Sequence, residues 1–243
     1  MIKLTLVGLF IFVAPLAMAQ NIPTGTAAQQ NLNELGDANN ISGMVMTYDQ
    51  RYEGVKGSPF FFNKWGRATI HTSGNFIFDN VPLKYNVYEN VVQFQKGDGK
   101  TYLLSPNSID SFVLKDSLGA SSYTFKKVPE ISGLIDNPSD RFALILHEGK
   151  KTMMVLLPKK SLVKADFKGG YSAGRTFDEF VSEDSYYLIK QGQDPQKIKL
   201  SKRNLLEALQ DKQQQVQAFI GKQNIDANTE KGWVQTLTFY DGL

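Results

Sequence analysis

Two histidines, His71 and His147, and several pairs of neighbouring acids are the side chains of this 243-residue sequence best suited to acid–base chemistry near neutral pH, and there is no cysteine. His71 falls in the β-textured run Ala68 to Thr72. His147 closes the run Phe142-Ala143-Leu144-Ile145-Leu146-His147, and alternation puts it on the face opposite Phe142, Leu144 and Leu146. His147-Glu148 supplies half of a zinc-protease helix motif, but the second histidine is missing and the segment reads as a hairpin turn. With two histidines far apart and no thiol, a zinc site would need mostly carboxylates, so we expect no metal and no cofactor. Asp136-Asn137-Pro138-Ser139-Asp140 clusters oxygens but lacks the spacing and closing glutamate of a helix-loop-helix calcium site, and reads as a turn.

The other templates fail in the same way. A serine on a strained elbow needs Gly-x-Ser-x-Gly, and the Gly/Ser-rich stretch Ser117 to Ser122 does not match it. Lys96-Gly97-Asp98-Gly99-Lys100 lacks the spacing of a phosphate cradle and joins two strands. The carboxylate pairs Asp178-Glu179 and Glu183-Asp184 suit glycoside chemistry only if their oxygens converge across a substrate, and adjacent acids on a strand point to opposite faces. No catalytic residue is assigned. Two lysine groups are candidates for contact with anionic surfaces: Lys150, Lys151, Lys159, Lys160, Lys164 and Lys168 around one hairpin, and Lys197, Lys199, Lys202 and Arg203 beyond another. Lysines also blunt exposed strand edges against aggregation. Pro59-Phe60-Phe61-Phe62 near Trp65, and Tyr186-Tyr187, either line a recognition surface or fill a core.

The elements that hold these residues follow from periodicity. Residues 1–19 read as a secretory signal peptide: Lys3, the apolar run Leu4 to Val13, then Ala17-Met18-Ala19, with cleavage expected between Ala19 and Gln20. The run is too short to span a bilayer, and no later run approaches that length, so the mature chain is expected to carry no transmembrane anchor. Residues 20–40, rich in Gln, Asn, Ala and Gly, form a loose leader.

Residues 41–200 read as an antiparallel β domain built from hairpins. Met44, Met46 and Tyr48 alternate, as do Phe76 and Phe78, and then Val81, Leu83, Tyr85 and Val87. Hairpins pair Val91–Gln95 with Thr101–Ser105, Phe142–His147 with Thr152–Leu157, and Tyr186–Lys190 with Gln196–Leu200, each turn holding a glycine expected at positive φ. Hairpin followed by a Pro or Ser turn recurs in Tyr85 to Pro106 and Phe142 to Pro158, which admits two similar halves. Residues 201–243 read as a helical hairpin packed on the sheet in the same globular unit. Its first helix is capped by Ser201, carries Leu205, Leu206, Leu209, Val216, Phe219 and Ile220 at helical spacing, and is ended by Gly221. The second starts near Asn228-Thr229-Glu230 and carries Trp233, Val234, Leu237 and Tyr240. The fold class is mainly β, α+β overall.

A composition of 42% apolar and 12% aromatic residues suits a chain stabilised by a core. Losing Lys3 with the signal lowers the formal charge from +3 to +2, which gives no field for nucleic acid. The strand pattern Tyr-x-Val-Tyr-x-Asn-x-Val at Tyr85 to Val92, the run Leu103 to Phe112, and the tail from Tyr186 through Asn204-Leu205-Leu206-Glu207-Ala208-Leu209 resemble secreted, uncharacterised proteins of Bacteroidota. That resemblance implies a periplasmic or extracellular location and brings no assigned activity. The expected function is that of an exported, non-catalytic envelope or secreted protein binding another protein, a glycan or a surface component. The alternatives are a glycan- or peptide-directed hydrolase with an unidentified carboxylate pair, told by two acids, or an acid and a histidine, converging in one cleft, and a carrier of small apolar ligands inside a curved sheet.

Overall fold

A computed structural model describes residues 51–97, 99–135, 141–166 and 176–243, together with the backbone of Val45–Met46. The expected signal peptide with its Ala19/Gln20 cleavage point, the leader, Met44 and Tyr48, the Asp136–Asp140 loop and Lys168 lie outside the described residues.

Eleven strands form one antiparallel sheet in the order β1-β5-β4-β3-β2-β6-β7-β8-β9-β12-β13. The strands are β1 (Val45–Met46), β2 (Gly66–Thr72), β3 (Ile77–Asn86), β4 (Val91–Gln95), β5 (Thr101–Leu104), β6 (Ile109–Lys115), β7 (Ser122–Lys126), β8 (Ala143–Glu148), β9 (Thr152–Leu157), β12 (Ser185–Lys190) and β13 (Gln196–Ile198). β10 (Lys160–Val163) and β11 (Glu179–Ser182) form a separate two-stranded ribbon. The order contains two four-strand meanders, β2 to β5 and β6 to β9, which both start at the sheet centre and run outward from the β2/β6 pair. A short 3-10 turn, Pro106–Ser108, capped by the Ser105 hydroxyl, begins the return from β5 to the centre.

The concave face is filled by rings. Phe112 stacks on Phe125 at 4.8 Å between centroids, Tyr85 meets Phe142 edge-on at 5.9 Å, and Phe61 meets Phe125 at 5.0 Å. Contact between β3 and the residue entering β8 requires the sheet to curl strongly, since four pairings separate those strands. The buried Tyr85 hydroxyl donates to the Asn90 side chain, and burial pushes its ionisation well above the usual phenol range. The single strand β3 replaces the two expected alternating runs. A bulge lets Asp79 and Asn80 oppose Thr69, and Asn80 takes φ 56°, so the inward positions step from Phe78 to Val81. Phe76 is left exposed in the β2–β3 turn. The Tyr85–Val92 pattern is likewise strand, turn and strand, with Asn90 at φ 55° in the turn.

Over β8, β9 and β12 the same face is covered by the C-terminal helices α1 (Lys202–Ala208), α2 (Gln213–Gln223) and α3 (Glu230–Asp241). Met154, Leu188 and Ile198 from the sheet pack with Leu205, Leu209, Val216, Ile220, Trp233 and Leu237. The expected continuous first helix is broken. Ser201 caps α1 as expected, but Gln210–Lys212 form a 3-10 turn before α2, and α2 runs past Gly221 to end at Asn224, which takes φ 49°. Apolar residues four or seven apart keep their face across one tight turn, so periodicity could not reveal the break. Thr229 caps α3, the buried Trp233 donates to the Ala227 carbonyl at 2.9 Å, and Phe219 stacks on Phe239 at 4.0 Å to join α2 to α3. On the convex side Val128, Ile131, Val155, Leu157 and Tyr187 make a third, smaller cluster. No helix among the described residues is long and apolar enough to cross a membrane.

Candidate functional site

An acid and a histidine do converge. The β8/β9 register slips between Ile145 and His147, so His147 opposes Met154 and faces the helices. That overturns the alternation argument, which put His147 on the face away from Leu144: one bulged residue reverses the parity beyond it. His147 Nε2 lies 2.7 Å from Asp241 Oδ2 at the end of α3, and each side chain is only 9% exposed. The Thr152 hydroxyl donates to the same carboxylate at 3.0 Å and the Lys151 backbone N–H at 3.2 Å. Gly149, expected at positive φ, is not in that region. It is a glycine because a Cβ there would collide with the Asp241 carboxylate and come within 2.7 Å of His147 Nε2.

The chemistry available to this pair is limited by what surrounds it. On the other side of the ring Thr238 Oγ1 stands 3.5 Å from Nδ1, at the limit of a hydrogen bond, and its proton goes to the Val234 carbonyl at 2.8 Å. A hydroxyl committed to its own helix is a poor nucleophile, and the carboxylate is engaged by the His147 ring, the Thr152 hydroxyl and the Lys151 N–H. Two further contacts tie the helices to the sheet. Lys190 Nζ donates to Asp211 at 3.2 Å and to the Ala208 carbonyl at 3.0 Å, while the Tyr240 hydroxyl donates to Asp211 at 2.8 Å. Tyr186 donates to Glu230 at 2.7 Å. Burial pushes the Tyr240 phenol up to about 12, with the hydrogen bond to Asp211 and the charges of Asp211 and Asp241 adding to it. Burial pushes Asp211 up, but hydrogen bonds from Tyr240 and Lys190 outweigh it and leave the carboxyl below its usual range. The His147–Asp241 pair is one fastener in this set.

The acid pairs are spent structurally. Asp178 accepts from Lys164 Nζ and the Ala165 N–H, both at 2.8 Å, and these bonds hold its carboxyl below the usual range. Glu179 lies 3.8 Å from Lys56, Glu183 pairs with Lys159 at 3.1 Å, and Asp184 accepts from the Lys159 N–H. The first lysine group is therefore scattered and largely engaged: Lys151 lies over the Tyr240 ring, Lys159 and Lys164 are paired, and Lys160 donates to the Ser58 carbonyl at 2.7 Å. Phe61 and Phe62 close one mouth of the ring-filled core against Tyr123, and Lys84 Nζ sits over Phe60 and Trp65 at 4.8 and 5.3 Å. Tyr186 and Tyr187 face opposite sides of β12, into different clusters. His71 lies in β2 between Ile77 and Ser111, in a different part of the sheet from His147.

The second lysine group is different. Lys197 is in β13, at one end of the strand order, and among the described residues nothing pairs with the outer edge of that strand. Lys197, Lys199, Lys202 and Arg203 are all exposed, and none has an ion pair among the described residues. A cleft lies on each side of this edge. The front cleft, about 440 Å³, opens between β13 and α1 and is lined by Gln196, Ile198, Asn204, Glu207 and the Lys190–Asp211 pair. The back cleft, about 350 Å³, has Leu157 and Tyr187 in its lining, with Arg141, the Lys159–Glu183 pair and the half-exposed Leu134 around them. Lys197 lines both. Amides, cations and backbone groups of this kind bind by hydrogen bonds and charge. Family models, curated proteins and solved structures were all compared with the chain, and none matches it.

Proposed function

We propose that this chain is an exported, non-catalytic binding protein that captures an extended segment of a partner protein by adding it as a further strand beside β13. Export rests on the Met1–Ala19 pattern. The observation that carries the binding reading is the outer edge of β13, with which nothing among the described residues pairs, and the cleft on each of its faces. In strand addition the backbone of the edge supplies affinity, and successive side chains of the incoming segment fall alternately to the two faces, where pockets supply specificity. β13 has that arrangement. The hydrolase alternative is disfavoured because the acid pairs are engaged and the His147–Asp241 pair lines neither of these clefts. The carrier alternative is disfavoured by the rings that fill the concave face.

Selection of a random heptapeptide display library against the mature chain, followed by amide hydrogen exchange on the unmutated protein with each selected peptide, tests the reading. The expected result is protection confined to Gln196–Ile198 and the adjoining cleft walls. Gln196→Pro and Lys197→Pro, one of which removes an outward N–H, should separate: one loses binding, and the other disturbs the β12 pairing. Selected peptides that protect a different surface, or no selectable peptide, would overturn it.

A further inference from the structure

We infer that the segment taken at β13 is acidic, with carboxylates at alternate positions directed into the back cleft; the inference rests on the strand-addition reading and deepens it. Five cations belong to the back cleft or lie close to β13 in the chain: Arg141 and Lys197 line the cleft, Lys199 follows the strand, and Lys202 and Arg203 begin α1. None has an ion pair among the described residues, although the whole chain carries only +3. Some lysines elsewhere are matched, Lys126 with Glu148, Lys159 with Glu183, Lys164 with Asp178 and Lys190 with Asp211, while others such as Lys115 and Lys222 stand singly on the surface among the described residues. What distinguishes this edge is that two such cations, Arg141 and Lys197, line one cleft beside the engaged Lys159–Glu183 pair.

Placement also argues for a ligand. Lysines that only blunt an edge need to be on the edge strand itself. Arg141 is not on it. It reaches the back cleft from the other side of β9 and β12, and with Lys197 it gives the cleft two cations that have no ion pair among the described residues, beside apolar Leu157 and Tyr187. An Arg fork and a Lys ammonium within one cleft suit a carboxylate, whose two oxygens accept from both. Lys202 and Arg203 add two further exposed cations at the start of α1. A second copy of this chain is the wrong occupant, because antiparallel pairing of two β13 edges would bring the lysines of one against those of the other.

The test uses two seven-residue probe peptides, one alternating Glu with Val and one with Gln in place of each Glu, titrated by fluorescence anisotropy against the mature chain. We expect the Glu peptide to bind at least about tenfold tighter at 20 mM salt, the preference to shrink several-fold at 200 mM, and hydrogen exchange to place it on Gln196–Ile198. In the double variant Arg141→Glu with Lys197→Glu the preference should invert in favour of a Lys-Val peptide. Lys197 is exposed and Arg141 half-buried, and an unchanged melting temperature confirms the fold. Equal affinity of the Glu and Gln peptides, both placed on β13, overturns the charge inference and leaves strand addition standing. A Glu peptide placed on another surface, or an unchanged preference in the double variant, overturns the charge inference as well, and the library selection then decides strand addition separately.

Discussion

Removing the Asp241 carboxylate tests whether the His147–Asp241 pair is a fastener or a catalytic dyad, because the two roles predict opposite signs. In Asp241→Ala the His147 ring, the Thr152 hydroxyl and the Lys151 N–H lose a common charged acceptor. One hydrogen bond to a charged group contributes about 1.5–3 kcal/mol, and three bonds on one carboxylate do not add independently, so we take about 3 kcal/mol for the set. Two gains offset it. Alanine is the better helix former, and an acid in the last turn of a helix opposes the macrodipole; together these return about 1 kcal/mol. The net expected loss is about 2 kcal/mol, or roughly 4–8 °C in melting temperature for a domain of this size. Urea unfolding followed by tryptophan fluorescence gives the value directly, since Trp233 on α3 is fully buried. Adding His147→Gln closes a double-mutant cycle, in which we expect a coupling of about 1 kcal/mol. A catalytic dyad is held at a cost in stability, so its removal is neutral or stabilising. A change below about 0.5 kcal/mol, or a gain, would refute the fastener and return the pair to the list of catalytic candidates.

Gly149→Ala attacks the same clasp from β8's turn: its Cβ needs the space of the Asp241 carboxylate, so it should destabilise about as much as Asp241→Ala and show no further effect in that background, as read by urea midpoints of the single and double variants. Gly232→Ala should cost more, about 3 kcal/mol by the same assay, because its Cβ would strike the Asp226 backbone carbonyl, which no side-chain rotation can relieve. The Tyr240 phenol is raised from 10.0 to about 12 in the folded chain, so its contribution is complete below pH 10 and is lost as the pH rises towards 12. Tyr240→Phe should therefore be less stable than the parent at pH 8 and lose stability less steeply between pH 10 and 12; parallel pH slopes would refute the assignment.

Much of the fold was legible because its signals are local. The three hairpins appear where Gly99 and Gly192 supply positive φ and where Gly149 to Lys151 turn between β8 and β9. Ser201 caps its helix as read, and the last helix starts within the expected Asn228 to Glu230, with Thr229 as its cap. Departures arose where one residue changed the parity or the pitch. The bulge opposite Thr69 fused two expected strands into β3, the bulge before His147 turned that ring to the helices, and the Gln210–Lys212 turn divided the first helix. In each case apolar spacing is compatible with both conformations, and the choice is made by contacts far away in sequence, such as Asp211 reaching Lys190 and Tyr240.

The candidate site divides along the same line. Residue types and local spacing determined that β13 would be a lysine-bearing strand of a hairpin leading into a helix, and that no familiar catalytic motif is present. Only the tertiary structure decided that this strand is an edge, that Arg141 joins Lys197 in one cleft, and that Gly149 is a glycine for the sake of Asp241, 92 positions later by their numbers. Hairpins form between neighbours in the chain, so their chemistry is written locally. Which edge of a sheet stays open depends on every other pairing in it, and that is settled by burial of the whole core.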